Sequence, residues 1–96
     1  MENFWTKIDG EIAIVGITEY AQGMLGEITF VELPEVGKIV KTGEEIGSIE
    51  SLKAISPLLT PVDGEIVEVN AKLEKKPELI NDKPLTDGWI WKVKIK

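Results

Sequence analysis

Cysteine, histidine and arginine are all missing from this 96-residue chain. Without cysteine there are no disulfides and no thiol nucleophiles. Without histidine most zinc sites also go, together with the side chain that titrates nearest neutral pH, so no metal is expected. All 11 cations are lysines, so no guanidinium fork is available to clamp a phosphate, and a formal net charge of -6 repels phosphate backbones. Nucleic acid is therefore not an expected partner. No apolar run approaches the roughly 20 residues of a membrane-spanning helix, and the opening MENFWTKIDGE carries acids where a signal peptide would carry positive charge. The expected location is the cytoplasm, with no membrane partner. Any redox chemistry would have to come from an attached group, because carboxylates and lysines are the ionisable side chains that remain.

The length fits one domain, 1–96, with one modest core. Glycines punctuate short β-branched runs at Glu11–Ile17, Glu27–Leu33, Lys38–Val40, Glu45–Ile49, Glu65–Val69 and Trp89–Ile95, a spacing that predicts an all-β sandwich or barrel. In the last run Trp89, Trp91, Val93 and Ile95 share one face, predicted to pack inward with Ile28 and Phe30, while Lys92, Lys94 and Lys96 point away with Ile90 as the exception. Glu27–Leu33 does not alternate cleanly, which predicts a bulge or a strand buried on both sides. One short helix is expected near Thr18–Leu25, capped by Thr18, with Gly26 at its left-handed end. Leu73–Gly88 reads as an ordered loop with one helical turn at Pro77–Ile80. The tripeptide Gly-Glu-Ile recurs at Gly10, Gly26 and Gly64, an echo that predicts two similar β-halves.

From Ile46 to Pro57 two apolar runs enclose a short polar stretch, the pattern of a tight hairpin with Lys53 near its tip. By composition alone Lys53 is one lysine among many. The order of the blocks along the whole chain changes its weight. VGITEYAQ from Val15, FVELPEVG from Phe30, ESLKA from Glu50, PVDGEIVEVN from Pro61, PELIN from Pro77 and Gly88-Trp89 follow one another from about Trp5 to Lys96. In that order and spacing the chain resembles the H protein of the glycine cleavage system. The ESLKA hairpin alone would also fit the lipoyl domains of 2-oxo acid dehydrogenases, whereas VGITEYAQ and PELIN are particular to H proteins.

The resemblance implies an all-β, lipoyl-type barrel-sandwich hybrid with lipoate amide-linked to Lys53, and Glu50, Ser51 and Ala54 shaping the hairpin for a lipoate ligase or lipoyl transferase. It implies a carrier protein of glycine catabolism, not an enzyme, whose partners are glycine decarboxylase, aminomethyltransferase and dihydrolipoyl dehydrogenase. A flexible arm offers its dithiolane to each partner at an effective concentration on the order of mM, so the carrier needs only a rigid base and docking surfaces. The chain departs from the family in three places. Asn3 and Phe4 stand for the histidine and glutamate of a histidine-glutamate-tryptophan motif that ends here at Trp5. Leu85-Thr86-Asp87 replaces an aromatic and a glycine, and the sequence stops at Lys96 ahead of the family's C-terminal helix. These departures predict a thinner cleft and a more exposed arm. They leave room for two alternatives: an H-like carrier or lipoyl relay for another redox or acyl-transfer system, and an unmodified interaction module. A biotinyl carrier fits worse, since Leu52 and Ala54 stand where its methionines would be.

Overall fold

The computed structural model describes residues 2–95. In chain order the elements are β1 (Phe4–Asp9), β2 (Ile12–Ile17), α1 (Glu19–Leu25), β3 (Ile28–Glu32), β4 (Ile39–Val40), β5 (Glu45–Ser51), β6 (Ile55–Leu59), β7 (Gly64–Val69), α2 (Lys72–Lys75), α3 (Leu79–Asp82) and β8 (Trp91–Ile95). All the pairings are antiparallel. They build a five-stranded sheet ordered β1-β2-β8-β7-β4 and a three-stranded sheet ordered β3-β5-β6. The sheets do not close into a barrel. Their apolar faces meet in one core, to which Val15, Val93 and Trp91 contribute from the larger sheet and Ile28, Ile49 and Leu58 from the smaller.

Period-2 alternation accounts for the buried face of β2, where Ala13, Val15 and Ile17 point inward. Gly16, on the opposite face, is also buried, because the Trp5 indole lies across it. A Cβ at Gly16 would stand 2.7 Å from that ring, so glycine is required by contact rather than by backbone angle. Trp5 Nε1 donates to the Pro84 carbonyl at 2.9 Å, tying β1 over β2 to the loop before β8. Beyond its first two residues β1 is exposed, so it lacks the alternation by which the other strands announce themselves in the sequence.

The bulge expected in Glu27–Leu33 is present: pairing with β5 shifts between Ile28 and Phe30. The inserted residue lets Ile28 and Val31, three apart, both face the core. It also turns Phe30 outward, half its surface exposed, which corrects the inward facing expected for it. In β8, Trp91 and Val93 are buried and Ile95 is half-buried, as their shared face predicts. Trp89 and Ile90 depart from that face. The Asn70 side chain donates to the carbonyls of Asp87 and Trp89 at 2.9 and 2.8 Å and bends the chain before the strand begins. Ile90 is consequently fully buried, and Trp89 is half-buried under the Lys92 ammonium, 4.8 Å from the ring centroid. Lys96, placed with Lys92 and Lys94 by alternation, lies outside the described residues.

Two single-turn helices, α2 and α3, join the expected α1. The turn foreseen at Pro77–Ile80 is displaced to Leu79–Asp82, and α2 is anchored by buried Leu73. The Gly-Glu-Ile echo does not mark equal halves, since the sheets have five and three strands. Each copy instead precedes or opens a strand, with its glycine at positive φ.

Candidate functional site

Lys53 stands in the turn between β5 and β6. The last strand pair is Glu50 with Ile55, and the turn closes as Ser51 N donates to Ala54 O at 2.8 Å. The Ser51 hydroxyl fills the space within, accepting from Lys53 N at 3.2 Å and Ala54 N at 3.1 Å and lying 3.2 Å from Ala54 O, to which it donates. A short hydroxyl side chain at the first turn position is well suited to satisfy backbone amides that have no ladder partner. Leu52, Lys53 and Ala54 are left exposed at the tip. Glu50 is half-buried on the strand just before it. The hairpin residues read from the sequence are therefore brought together around one lysine.

The turn does not project freely. Leu52 N donates to Glu27 O at 3.2 Å, which joins the tip to the segment between α1 and β3. Helix α1 starts where the sequence indicates, with Thr18 Oγ accepting from Ala21 N at 3.1 Å, and stops at Gly26, whose φ of 75° disfavours any residue with a Cβ. The Lys53 stem lies over this glycine. A Cβ at Gly26 would be 3.5 Å from Lys53 Cε. Asn81 reaches the same segment from α3, its Nδ2 donating to Gly26 O at 2.7 Å and its Oδ1 accepting from Ile28 N at 2.8 Å. Sequence reading placed Asn81 only within the block PELIN and assigned it no role. No local pattern discloses a partner 53 residues away in the chain.

Two grooves adjoin this corner. One, of about 380 Å³, is lined by Asn3, Phe4, Tyr20, Met24, Ile49 and Pro57. The other, of about 490 Å³, takes in Gln22, Gly26, Glu27, Glu78 and Asn81. Asn3 and Phe4 both line the first groove. The wall is apolar at Phe4. Among the described residues no group of three or more acidic side chains is placed to hold a metal, and no helix is long and apolar enough to cross a membrane.

The family profile described as Glycine cleavage H-protein matches residues 1–96. The glycine cleavage system H protein of Rubrobacter xylanophilus is 52% identical over 95% of this chain and 72% of its own length. That of Symbiobacterium thermophilum is 51% identical over 98% of this chain and 73% of its own. Among solved structures, an H protein of the same system from Mycobacterium marinum superposes with a TM-score of 0.92 at 39% identity, covering 98% of this chain and 79% of that one. With the family model matching the whole chain and relatives about half identical over nearly all of it, the chain belongs to the glycine cleavage H-protein family.

Proposed function

We propose that Lys53 is the attachment point of lipoate and that the chain, acting as one unit over residues 1–96, is the lipoyl carrier of a glycine cleavage system. The observation that supports it is the placement of Lys53. It is exposed at the tip of a hairpin whose backbone is fixed by the Ser51 hydroxyl within the turn and by Glu27 O beside it. Such a lysine is open to a ligase or transferase while its base stays rigid. Lys53 would hold the lipoyl group, which would supply a dithiolane suited to carrying an aminomethyl group and reducing equivalents between partners. The partners in this reading are glycine decarboxylase, aminomethyltransferase and dihydrolipoyl dehydrogenase, and the compartment is the cytoplasm. The chain itself contributes no catalysis: its residues hold the arm and present surfaces for docking.

Lys53 forms no salt bridge among the described residues. Acylation removes the ammonium charge. The hydrogen bonds that hold the turn do not use that charge, so they persist on loading. Glu50, Ser51 and Ala54 complete the surface that the modifying enzyme reads.

Peptide mapping of protein from a lipoylation-competent cell tests the reading. The expected result is one lipoyl mass increment, on Lys53, lost in Lys53→Arg with the fold intact, since arginine keeps the charge but has no acylatable amine. An increment on Lys38 or Lys41 overturns the assignment. A second reading, a lipoyl carrier serving another redox or acyl-transfer system, rests on Asn3 and Phe4 standing in the groove wall where the resemblance implies a histidine and a glutamate. Assay of the loaded carrier with the glycine cleavage enzymes separates the two: turnover supports the first, and its absence the second.

A further inference from the structure

We infer that Asn81 is a positioning residue for the modification of Lys53, acting through the backbone of residues 26–28. The inference rests on the assignment of Lys53 as the lipoyl attachment point.

The geometry is that of a clamp. In an extended segment the carbonyl of one residue and the amide of the second residue after it lie on the same edge. Asn81 bonds both such groups, Gly26 O at 2.7 Å and Ile28 N at 2.8 Å, so its primary amide stands in for a neighbouring strand. The intervening residue, Glu27, offers its carbonyl to Leu52 N at 3.2 Å. The segment is thus held by α3 through one set of groups and holds the lysine turn through another. Ile28 then opens the pairing with Ser51, immediately before the bulge. At a bulge the ladder is locally disrupted, and the Asn81 amide supplies hydrogen bonds that the ladder omits there. Gly26, fixed by the same amide, is the ledge under the Lys53 stem.

The chemistry requires asparagine. The group must donate to a carbonyl and accept from an amide at once, which aspartate cannot do when ionised. Attachment itself forms an amide. Lys53 Nζ gives up a proton and attacks the carbonyl carbon of a lipoyl acyl phosphoanhydride, and the phosphate-bearing group departs with the electrons of the broken acyl–oxygen bond. That attack demands a turn presented in one conformation. When a competent conformation is only partly populated, apparent affinity falls by the populated fraction. The expected defect is therefore in KM for the carrier and not in kcat.

The test is steady-state lipoylation of the full-length chain by a lipoate ligase with lipoate and ATP, comparing wild type, Asn81→Ala, Asn81→Asp and Asn70→Ala. Asn70 is the control, because its amide also bridges two backbone carbonyls but shares no described hydrogen bond with residues 26–28 or 51–54. Both Asn81 variants should raise KM by about tenfold with kcat nearly unchanged, as expected if the competent turn falls to about one tenth of the population. Amide exchange at Leu52 should accelerate while that at Val93 stays slow. Asn70→Ala should lose stability and leave KM at the wild-type value. Asn81→Gln, which keeps both groups on a longer chain, should recover part of the KM and serves if the alanine variant does not fold. KM values within twofold of wild type for Asn81→Ala and Asn81→Asp, or an equal rise in Asn70→Ala, would overturn the inference while leaving the attachment site standing. A wild-type chain not modified on Lys53 would overturn both.

Discussion

Strands β5 and β6 end in two places that are held by different chemistry. At the lysine end the Ser51–Ala54 turn is closed by a hydroxyl, backbone groups and, one segment away, the neutral amide of Asn81. At the opposite end, where β4 enters β5 and β6 leaves for β7, backbone bonds and the Thr60 hydroxyl are joined by bonds to carboxylates. Asp63 Oδ1 accepts from Thr42 N at 2.6 Å and Thr42 Oγ at 2.8 Å. Glu44 accepts from Lys41 N and pairs with Lys38 Nζ, each at 3.1 Å. A carrier gains from this division. If Lys53 is the attachment point proposed above, acylation removes a positive charge at that end, and a turn built on neutral hydrogen bonds does not depend on it. The far end has no such demand and can use charge-assisted bonds.

The most drastic way to break the comparison is to remove the core on which both ends rest. Trp91 is fully buried and packs edge-on against Phe4, with ring centroids 5.9 Å apart. Trp91→Ala should cost about 3–5 kcal/mol, a large share of a small domain's stability, and both ends should loosen together. Chemical denaturation followed by tryptophan fluorescence measures it. An unfolding midpoint unchanged from wild type would mean that the ends are stabilised independently of this core.

Ser51→Ala should then separate the ends. It removes the acceptor for the Lys53 and Ala54 amides while the Ser51 N to Ala54 O bond remains. Because the turn is exposed and water can replace the hydroxyl, the expected loss is about 0.5–1.5 kcal/mol. Amide exchange should rise at Lys53 and Ala54 and not at Thr42. Equal acceleration at Thr42 would show that the two ends are coupled through β5.

The site was legible in the sequence to the extent that its determinants are local. Lys53 sits between two apolar runs, Thr18 and Gly26 bracket a helix, and the broken alternation of Glu27–Leu33 signals its bulge; each is readable within about ten residues. The facing of Phe30 was misread because a bulge does not reveal which residue it inserts. Strand β1 escaped notice because an exposed edge strand needs no alternating apolar face. Trp89 and Ile90 were misplaced because the bend that ends the alternation is imposed by Asn70, remote in sequence. Asn81 is the extreme case: both partners lie more than 50 residues away, and a lone asparagine carries no periodicity.

A smaller effect of opposite sign sharpens the contrast. Gly23 is exposed in α1, lies outside the positive-φ glycines and has nothing within 4 Å of where a Cβ would stand. Gly23→Ala should therefore stabilise the chain by about 0.5–1 kcal/mol, through helix propensity and a less disordered unfolded chain. Thermal unfolding reads the global gain. Slower amide exchange should appear at the C-terminal turn of α1 next to Lys53, with no change at the carboxylate end.

The smallest effect belongs to acid, and it should be felt at one end only. Hydrogen bonds from the Thr42 amide and hydroxyl hold the Asp63 carboxyl below its ordinary value, with Lys41 adding to the shift. The Lys41 amide, and after it Lys38, does the same for Glu44. A group whose folded value is depressed contributes stability that is present above its unfolded value and is lost as pH falls through the folded one. The loss should therefore begin below the ordinary carboxylate range near pH 4 and deepen on further acidification. Both carboxylates are open to solvent and screened, so the global midpoint should move little. The readout is instead the protection of the Thr42 and Lys41 amides, which should fall on acidification after correction for intrinsic exchange. Asp63→Asn keeps an acceptor for Thr42 but removes its titration, so it should suppress the pH dependence at Thr42 while leaving that at Lys41. The amides of Lys53 and Ala54, bonded to a hydroxyl, should keep their protection throughout. Were they to lose it in step with Thr42, the neutral turn would be taking its rigidity from the charged one, and the division of labour between the two ends would not hold.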